Sequence, residues 1–447
     1  MDNLNNNFKT NIYINNQESV IKTSINISII ILLNMIHPII SIIIYIGLIK
    51  YSIKGKVESL KALMISFTIY FLNPGIFKIN TSIVSILRWI IFGVSIIILF
   101  NNSKKINFRK KWIFFFISWV MLTFIISILN SNLPLVSISK LFMFSLGFLS
   151  VNIGINETIK IYNWKKWIFS YCISLQYLSL FLIVLPVGYF INGSGFQGII
   201  NHPNAFGIIM TVIISIFIYL KTQDEFKCYN KLLNISIIIS IIMILSSKSR
   251  TSMMGTGITI TIFIIVWIKN FLREKRISLK FMVWLTFFMT TGVIIVVLNY
   301  GAIKSEFKEL IFKGNSENIL YSSANVIKKQ EKAIKNRPIL GNGFGVEWDE
   351  DQEKSLMFSL SHTIEKRNLL LALISETGII GTLMFTLFLI QYTGILIRNK
   401  LSYRDCLFVS TIMINFGEMV FFSGNGIGIF IWVVLAIYYN QSEEILK

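Results

Sequence analysis

The chain has 447 residues, of which 54% are hydrophobic and 14% charged, so its polar surface is too small to cover a soluble globule. The formal net charge of +20 would suggest nucleic acid binding in a soluble protein, but the basic residues lie between apolar blocks, as in membrane proteins. The blocks have about 17 to 25 residues, enough for a helix to cross ~30 Å of hydrocarbon. We therefore predict an all-α polytopic membrane protein of about 12–14 transmembrane helices, with no nucleic acid partner.

The chain begins with a polar, Asn-rich stretch, so we expect no cleaved signal peptide. The apolar runs that follow predict spans at 25–49, 60–77, 82–100, 112–129, 135–155, 167–190, 203–220, 232–246, 251–268, 281–300, 369–397, 406–422 and 427–440. Loops rich in Lys and Arg follow every second span, and we call them the basic loops: 50–61, 104–111, 160–166, 221–231, 269–280 and 398–404. The positive-inside rule places them in the cytoplasm, with the N-terminus outside and the C-terminus inside. An error at 25–49 or 427–440 reverses this parity.

A hairpin between two spans, Ser246 to Thr251, carries two cations on the side predicted to be outside. Lys248 and Arg250 lie at membrane depth or at its outer surface, and cations there need an anionic partner. A diphosphate fits, because a guanidinium binds phosphate oxygens in bidentate geometry. The alternative is that both side chains snorkel to lipid headgroups. Upstream, Asn201 is the expected N-cap of a helix starting at Pro203, and His202 is a candidate base or sugar contact with a structural role as the alternative.

The segment 301–368 separates the transmembrane helices of 1–300 from those of 369–447. It contains an amphipathic helix predicted over Ser323 to Asn336 and ended by Pro338, followed by a glycine-rich turn at 341–345 and an acidic run at 347–353. Loops of this length in compact proteins are usually functional or disordered. Because this one carries helix and turn signals, we expect it to be a functional extracellular loop.

The end of this loop combines candidate bases, cations and an amide: His362, Glu365, Lys366, Arg367 and Asn368. Glu376 follows inside an apolar helix, where an uncompensated charge is costly, so we expect it to face the bundle interior and pair with a cation. Arg88 and Glu418 are further charged residues within predicted spans, and for both a structural ion pair is the favoured interpretation.

These segments, in their order, resemble the O-antigen ligase and Wzy-type polymerase superfamily of polytopic glycosyltransferases. The resemblance covers about residues 190–390 and rests on GFQGIINHPNAFG, SKSRTSMMG, the amphipathic segment leading to NRPILGNGFG, and RNLLLALISETGIIGTLMF. It implies a C-type glycosyltransferase-like fold and a metal-independent enzyme without a cofactor. Such an enzyme joins an undecaprenyl-diphosphate-linked glycan to an acceptor glycan on the outer side of the membrane.

The resemblance also implies roles for residues. In the ligase branch a His-Asn pair ends the large loop and its histidine is regarded as the base, whereas Arg367 precedes Asn368 here. This departure favours a polymerase and leaves His362 and Glu365 as candidate bases. Arg250 matches the family's hairpin arginine, although the usual arginine before the amphipathic helix is absent. We predict catalytic roles for His362, Glu365 and Arg367, and substrate binding by Lys248, Arg250, Arg337, His202, Asn201, Lys366, Asn368 and Glu376.

The predicted function is polymerisation of lipid-linked oligosaccharide repeat units into a capsular, exopolysaccharide or O-antigen chain. The protein would act in the cytoplasmic membrane with its active site facing outward, together with a flippase and a chain-length regulator as possible partners. Ligase-type transfer to another acceptor is the close alternative. A flippase or other transporter is a third possibility, but transporters usually contain two similar halves and no internal repeat is visible here. A structural or regulatory subunit is the fourth.

Overall fold

The computed structural model describes residues 19–79, 81–101, 111–190, 195–273, 324–346, 368–394, 403–423 and 426–440. They contain fourteen α-helices: α1 (Val20–Leu33), α2 (Pro38–Ser52), α3 (Lys56–Tyr70), α4 (Thr81–Phe100), α5 (Lys111–Asn130), α6 (Pro134–Thr158), α7 (Trp164–Leu180), α8 (Pro203–Leu220), α9 (Asn230–Ser247), α10 (Arg250–Arg273), α11 (Ala324–Asn336), α12 (Leu369–Thr393), α13 (Tyr403–Gly417) and α14 (Ile427–Asn440). Short 3-10 helices lie at Pro186–Gly188 and Asp224–Tyr229.

Seven of these helices are long and apolar enough to cross a membrane: α4, α5, α6, α8, α9, α10 and α12. Within the described ranges, extended backbone pairs only in two isolated bridges, Leu72 with Ile200 and Tyr189 with Phe196. The prediction of an all-α polytopic membrane protein is therefore confirmed. The predicted amphipathic helix is also present, as α11. The span predicted at 281–300 lies outside the described residues.

The predicted span at 25–49 is wrong, because this region forms two helices. α1 ends at Leu33 and α2 begins at Pro38, with His37 as its N-cap. The Nδ1 atom of His37 accepts a hydrogen bond from the Ile39 N–H at 3.2 Å. Pro38 is favourable at the first position of a helix but interrupts a helix that runs through it, so a single proline divides this apolar run.

The extra helix changes the predicted side of the N-terminus. Ser170 Oγ donates to the carbonyl of Val20 at 3.1 Å, and Ser174 Oγ donates to the carbonyl of Ser24 at 2.8 Å, so α1 and α7 run in parallel. α7 starts at Trp164, within the basic loop 160–166. The start of α1 therefore points to the basic-loop end of the bundle, opposite to the side predicted for the N-terminus.

Three predicted spans end earlier than expected. α3, α7 and α13 stop at Tyr70, Leu180 and Gly417, where the sequence predicted 77, 190 and 422. In each case apolar residues continue beyond the helix into a turn, so hydrophobicity alone does not locate the end of the helix. The Asn73 side chain holds one of these turns by donating to the carbonyls of Val187 at 3.0 Å and Gly198 at 3.3 Å.

These turns meet at the end of the bundle where α8 and α10 begin, which we call the site end. The N–H of Phe196 donates to the carbonyl of Ser246 at 2.9 Å, and the N–H of Asn201 donates to the carbonyl of Phe71 at 2.8 Å. Beneath this end lies an aromatic cluster, buried except for the partly buried Phe422 and contributed by α5, α6, α12, α14 and the turn after α13: Trp119, Phe144, Phe148, Phe385, Phe388, Phe422 and Trp432. The packed aromatic rings give the site end a rigid base.

Candidate functional site

The turn that carries Lys248 and Arg250 is as tight as predicted. α9 ends at Ser247, Lys248 adopts a left-handed conformation with φ of 52°, and α10 begins at Arg250. The Oγ atoms of Ser249 and Ser252 are 2.8 Å apart, which fixes the first turn of α10. Lys248 is exposed and Arg250 is partly buried. Arg250 thus lies at a helix N-terminus, where the helix dipole and the guanidinium both favour an anion.

The start of α8 packs directly on this turn. A Cβ atom built on Gly207 would lie 2.6 Å from Ser252 Oγ, and one built on Gly195 would lie 2.2 Å from the carbonyl oxygen of Ser247. The two glycines therefore allow the backbone around the start of α8 to approach the Arg250 turn more closely than a residue with a Cβ atom would permit. As a result, the N-termini of α8 and α10 lie side by side at the site end.

The predicted N-cap at Asn201 is wrong, and His202 has a structural role, one of the two predicted for it. His202, rather than Asn201, is the N-cap of α8, and its Nδ1 atom accepts from the N–H of Asn204 at 3.2 Å. The reason is that Pro203 is the first helical residue, so the residue directly before it caps the helix. His202 is exposed, and its ring centroid is 5.4 Å from that of Phe190.

The second part of the site is a break in α12 at Gly378, which has φ of 67° and ψ of −176°. In a regular helix the N–H of Ile379 would donate to the carbonyl of Ser375. Instead it donates to Pro338 at 3.0 Å, and Ser375 accepts from the N–H of Asn342 at 3.0 Å. The loop after α11 thus inserts into the break and supplies the missing backbone hydrogen bonds, as non-helical backbone within a membrane bundle requires.

Glycines make this insertion possible. Gly341, Gly343 and Gly345 all have positive φ, with values of 72°, 101° and 67°. A Cβ atom built on Gly378 would lie 2.0 Å from the carbonyl oxygen of Ile339. The glycine-rich turn predicted at 341–345 is therefore a backbone clamp for α12.

Glu376 lies in the bundle interior, as expected, with 2% of its surface exposed. Its Oε2 atom accepts from the N–H of Gly345 at 2.9 Å. Lys140 of α6 donates from Nζ to the carbonyl of the same glycine, also at 2.9 Å. The sequence analysis missed Lys140, although a lysine inside the apolar run 134–158 is a recognisable signal. Glu376 of α12 and Lys140 of α6 thus both bind the backbone of Gly345 in the clamp.

Arg337 and Asn368 also take part in local structure. Arg337 is exposed, and its Nη1 atom donates to the carbonyl of Asn130 at 2.6 Å. Asn130 in turn donates from Nδ2 to the carbonyl of Gly341 at 3.1 Å. Asn368 is the N-cap of α12, and its Oδ1 atom accepts from the N–H groups of Leu370 and Leu371 at 3.1 and 3.4 Å. The α5–α6 turn therefore positions Arg337, and the amide of Asn368 orients the start of α12.

A short segment after α13 joins the two parts of the site. A Cβ atom built on Gly417 would lie 2.4 Å from Thr251 Oγ1, beside Arg250, whereas the ring centroid of Phe422 is 5.3 Å from that of Phe344 in the clamp. The Arg250 turn and the Arg337–Gly345 loop are therefore at one end of the bundle.

The two other charged residues predicted within spans lie in different parts of the bundle. Glu418 lies beyond the last residue of α13, and its Oε1 atom accepts from Asn204 Nδ2 at 2.5 Å. Arg88 is buried in α4, with its Cζ atom 3.6 Å from the ring centroid of Tyr70. Glu418 thus belongs to the site end, and Arg88 is held by a cation–π contact inside the bundle.

Four predicted site residues lie outside the described residues: His362, Glu365, Lys366 and Arg367. The acidic run at 347–353 does as well. Within the described ranges there is no group of three or more His, Cys, Asp or Glu side chains that could hold a metal ion.

The sequence model of the O-antigen ligase family matches residues 235–386, about a third of the chain. No curated protein matches the chain. The matched range contains the Arg250 turn, α11, the glycine clamp and the break in α12. The predicted resemblance is therefore confirmed over residues 235–386, whereas the GFQGIINHPNAFG stretch lies before the match. It supports an enzyme of the ligase and polymerase type that processes lipid-linked glycans in a membrane.

Proposed function

We propose that this O-antigen-ligase-like protein polymerises undecaprenyl-diphosphate-linked oligosaccharide repeat units into a capsular, exopolysaccharide or O-antigen chain. The observation that carries the proposal is the meeting of the Arg250 turn and the Arg337–Gly345 loop at one end of the bundle. We place this end on the outer face of the cytoplasmic membrane, since the basic loops lie at the other end. A flippase would deliver the lipid-linked units to this face.

In this reaction the hydroxyl of an acceptor sugar attacks the anomeric carbon of the lipid-linked sugar. The bond from that carbon to the diphosphate oxygen breaks, and its electron pair leaves with the diphosphate. Arg250, with Lys248 beside it and the α10 N-terminus beneath it, would stabilise the leaving group, assisted by Arg337 and Arg367. The proton of the attacking hydroxyl goes to a base, for which His362 and Glu365 are the candidates.

Polymerase is preferred to ligase because Arg367 stands where the ligase branch has its histidine. The test is to reconstitute the purified protein in vesicles with lipid-linked repeat units as the only glycan, in the presence of a chelator, and to size the products. We expect a ladder of chain lengths. Product formed only after a separate acceptor glycan is added would indicate a ligase. Units that cross the bilayer without growing would indicate a flippase.

A further inference from the structure

We propose that Arg88 and Tyr70 form a binding site for the phosphate group of a membrane lipid, separate from the diphosphate site proposed at Arg250. A polyprenyl diphosphate and an anionic glycerophospholipid both carry this group. The first of these sources rests on the proposed function, because a polymerase that uses lipid-linked units as its only glycan must hold two of them at once. One unit supplies the leaving diphosphate and the other carries the acceptor sugar.

Arg88 is a buried cation with an unbound donor. Only 8% of its surface is exposed, and its Cζ atom lies 3.6 Å from the ring centroid of Tyr70. Its Nε atom is buried and has no hydrogen-bond partner in the described part of the chain. A buried donor that stays unbound costs free energy, and the cost is larger when the donor belongs to a charged group. The fold therefore holds an unsatisfied guanidinium group beside an aromatic ring.

The described helices around Arg88 place no carboxylate beside this cation. α4 packs against α2, α3 and α6, and these four helices contain only two acidic residues, Glu58 and Glu157. Glu58 lies in the first turn of α3, and Glu157, near the end of α6, binds Lys56. Both carboxylates are thus at the basic-loop end, whereas Tyr70 is the last residue of α3, near the site end. An external anion is the partner that this arrangement leaves for Arg88.

The guanidinium group lies at a depth that a lipid phosphate can reach. Arg88 is seven residues after the start of α4 at Thr81, so its backbone is about 10 Å below the site end. A helical side chain leans toward the N-terminus of its helix, which for α4 is the site end. The ring of Tyr70, at the last residue of α3, holds the guanidinium group there. Arginine at this depth binds headgroup phosphates in bidentate geometry.

The helices around Arg88 also present a surface for the rest of a lipid. Ile86 and Trp89 of α4 are exposed, as are Ile39 and Ile43 of α2. Exposed apolar side chains on membrane helices face acyl chains, and tryptophan is enriched where the chains meet the headgroups. A phosphate that carries an apolar chain can therefore bind Arg88 while its chain covers this surface. A soluble phosphate ion lacks that second contribution, so the ligand is a lipid.

The start of α8 connects the Arg88 site with the Arg250 turn. The carbonyl of Phe71, directly after the stacked tyrosine, accepts from the N–H of Asn201 at 2.8 Å. α8 begins two residues later, and its Gly207 is packed against Ser249 and Ser252 of the Arg250 turn. Two phosphate positions are therefore available at one end of the bundle, as a reaction between two lipid-linked units requires.

The test counts the lipids that the full-length protein binds. Native mass spectrometry in detergent follows titrations of the wild type, Arg88→Met and Arg250→Ala with a short-chain polyprenyl diphosphate and with phosphatidylglycerol. If the site takes a lipid-linked substrate, the wild type binds two polyprenyl diphosphates and each variant binds one. If it takes a glycerophospholipid, Arg88→Met loses one phosphatidylglycerol and keeps its polyprenyl diphosphate. In both cases the affinity for the lost lipid should fall at least about tenfold.

Thermal unfolding without added lipid separates ligand binding from a structural role. Methionine nearly fills the volume of the arginine side chain and removes the buried charge, a change that is often neutral or stabilising. We therefore expect the unfolding midpoint of Arg88→Met to be no lower than that of the wild type. A lower midpoint together with the wild-type lipid count would show that the cation–π contact is structural only, and would overturn the proposal.

Lys61→Met is the matched control. Lys61 is also a buried cation over a tyrosine ring, with its Nζ atom 4.2 Å from the ring centroid of Tyr162, but it lies in the half of α3 nearer the basic-loop end. This variant should bind the same lipids as the wild type. If Arg88→Met binds every lipid as the wild type does, the Arg88 site is wrong. If Arg250→Ala keeps all the polyprenyl diphosphate of the wild type, the proposed function fails instead.

Discussion

The backbone N–H of Gly345 donates a hydrogen bond of 2.9 Å to the Oε2 atom of Glu376, a buried residue of the membrane helix that is broken at Gly378. This hydrogen bond joins the loop that holds Arg337 to α12. It also explains how a carboxylate is tolerated at this depth: Glu376 binds a backbone donor, and Lys140 binds the other polar group of the same glycine. The acidic residue thus has a structural role beside the site, from which the first prediction follows.

Glu376→Ala should destabilise the protein by about 1–3 kcal/mol, because the partly buried N–H of Gly345 loses its acceptor. We expect a lower thermal midpoint in detergent and faster proteolysis of the 337–345 loop. Glu376→Gln is the control, since its side-chain oxygen can still accept this hydrogen bond. An unchanged midpoint and proteolysis rate for Glu376→Ala would contradict a clamping role.

Gly378→Ala should be far more harmful than an ordinary glycine substitution in a membrane helix. The backbone conformation of Gly378, with a positive φ and a ψ near 180°, costs an L residue about 1–3 kcal/mol, and the new Cβ atom would also overlap the carbonyl of Ile339. We expect loss of folded protein or of polymer. Gly257→Ala is the matched control in α10, because no atom lies within 4 Å of its added Cβ. Equal yields and activities for the two variants would exclude the backbone clamp.

Arg250→Ala should abolish polymer while leaving the protein in the membrane, because the leaving diphosphate loses its bidentate partner. Arg250→Lys should recover only a small part of the activity, since an ammonium keeps the charge but not the planar geometry. Lys54→Ala, an exposed cation in the loop between α2 and α3, should remain fully active. Normal chain-length ladders from Arg250→Ala would defeat the site assignment.

The residues directly before α12 contain the remaining catalytic candidates. Arg367→Ala should also abolish polymer, because it removes a cation proposed to face the diphosphate. His362→Ala and Glu365→Gln should separate the two candidate bases: the variant that stops glycosyl transfer identifies the base, and the other should stay active. Wild-type rates for both would place the base elsewhere.

The orientation of the bundle can be checked with a cysteine already in the chain. Cys228 is exposed at the basic-loop end, whereas Cys172 and Cys406 are buried. In intact cells a membrane-impermeant maleimide should label Lys248→Cys, and Cys228 should react only after permeabilisation. The reverse pattern would place the Arg250 turn in the cytoplasm and remove its access to an outward-facing lipid diphosphate.

The sequence predicted most helices because a membrane span is a long apolar run, and the Arg250 turn because so few polar residues separate two such runs. It failed at Pro38, where an apolar run contains a helix start, and at Asn201, where the position of Pro203 decides which residue is the cap. These errors share one cause: hydrophobicity reports where the chain is buried, whereas capping and turns depend on individual side chains.

The assembly of the site was less accessible from sequence. The pairing of Asn204 with Glu418 and of Gly345 with Glu376 joins residues far apart in the chain, and no periodicity reports such contacts. Glu418 was noticed only as a charge in an apolar run. Its position at the site end became clear because α13 stops at Gly417, earlier than hydrophobicity suggested.

The insertion of 338–343 into the gap at Gly378 is made almost entirely by main-chain atoms. The two segments therefore depend mainly on each other's backbone shape, with the side chains of Asn342 and Glu376 adding one contact each. In chimaeras between relatives, transplanting this loop without the following helix should break the fit even if every exchanged residue is chemically similar. The loop and α12 therefore form one structural unit. Chimaeras that are meant to exchange glycan specificity should carry both segments from the same parent.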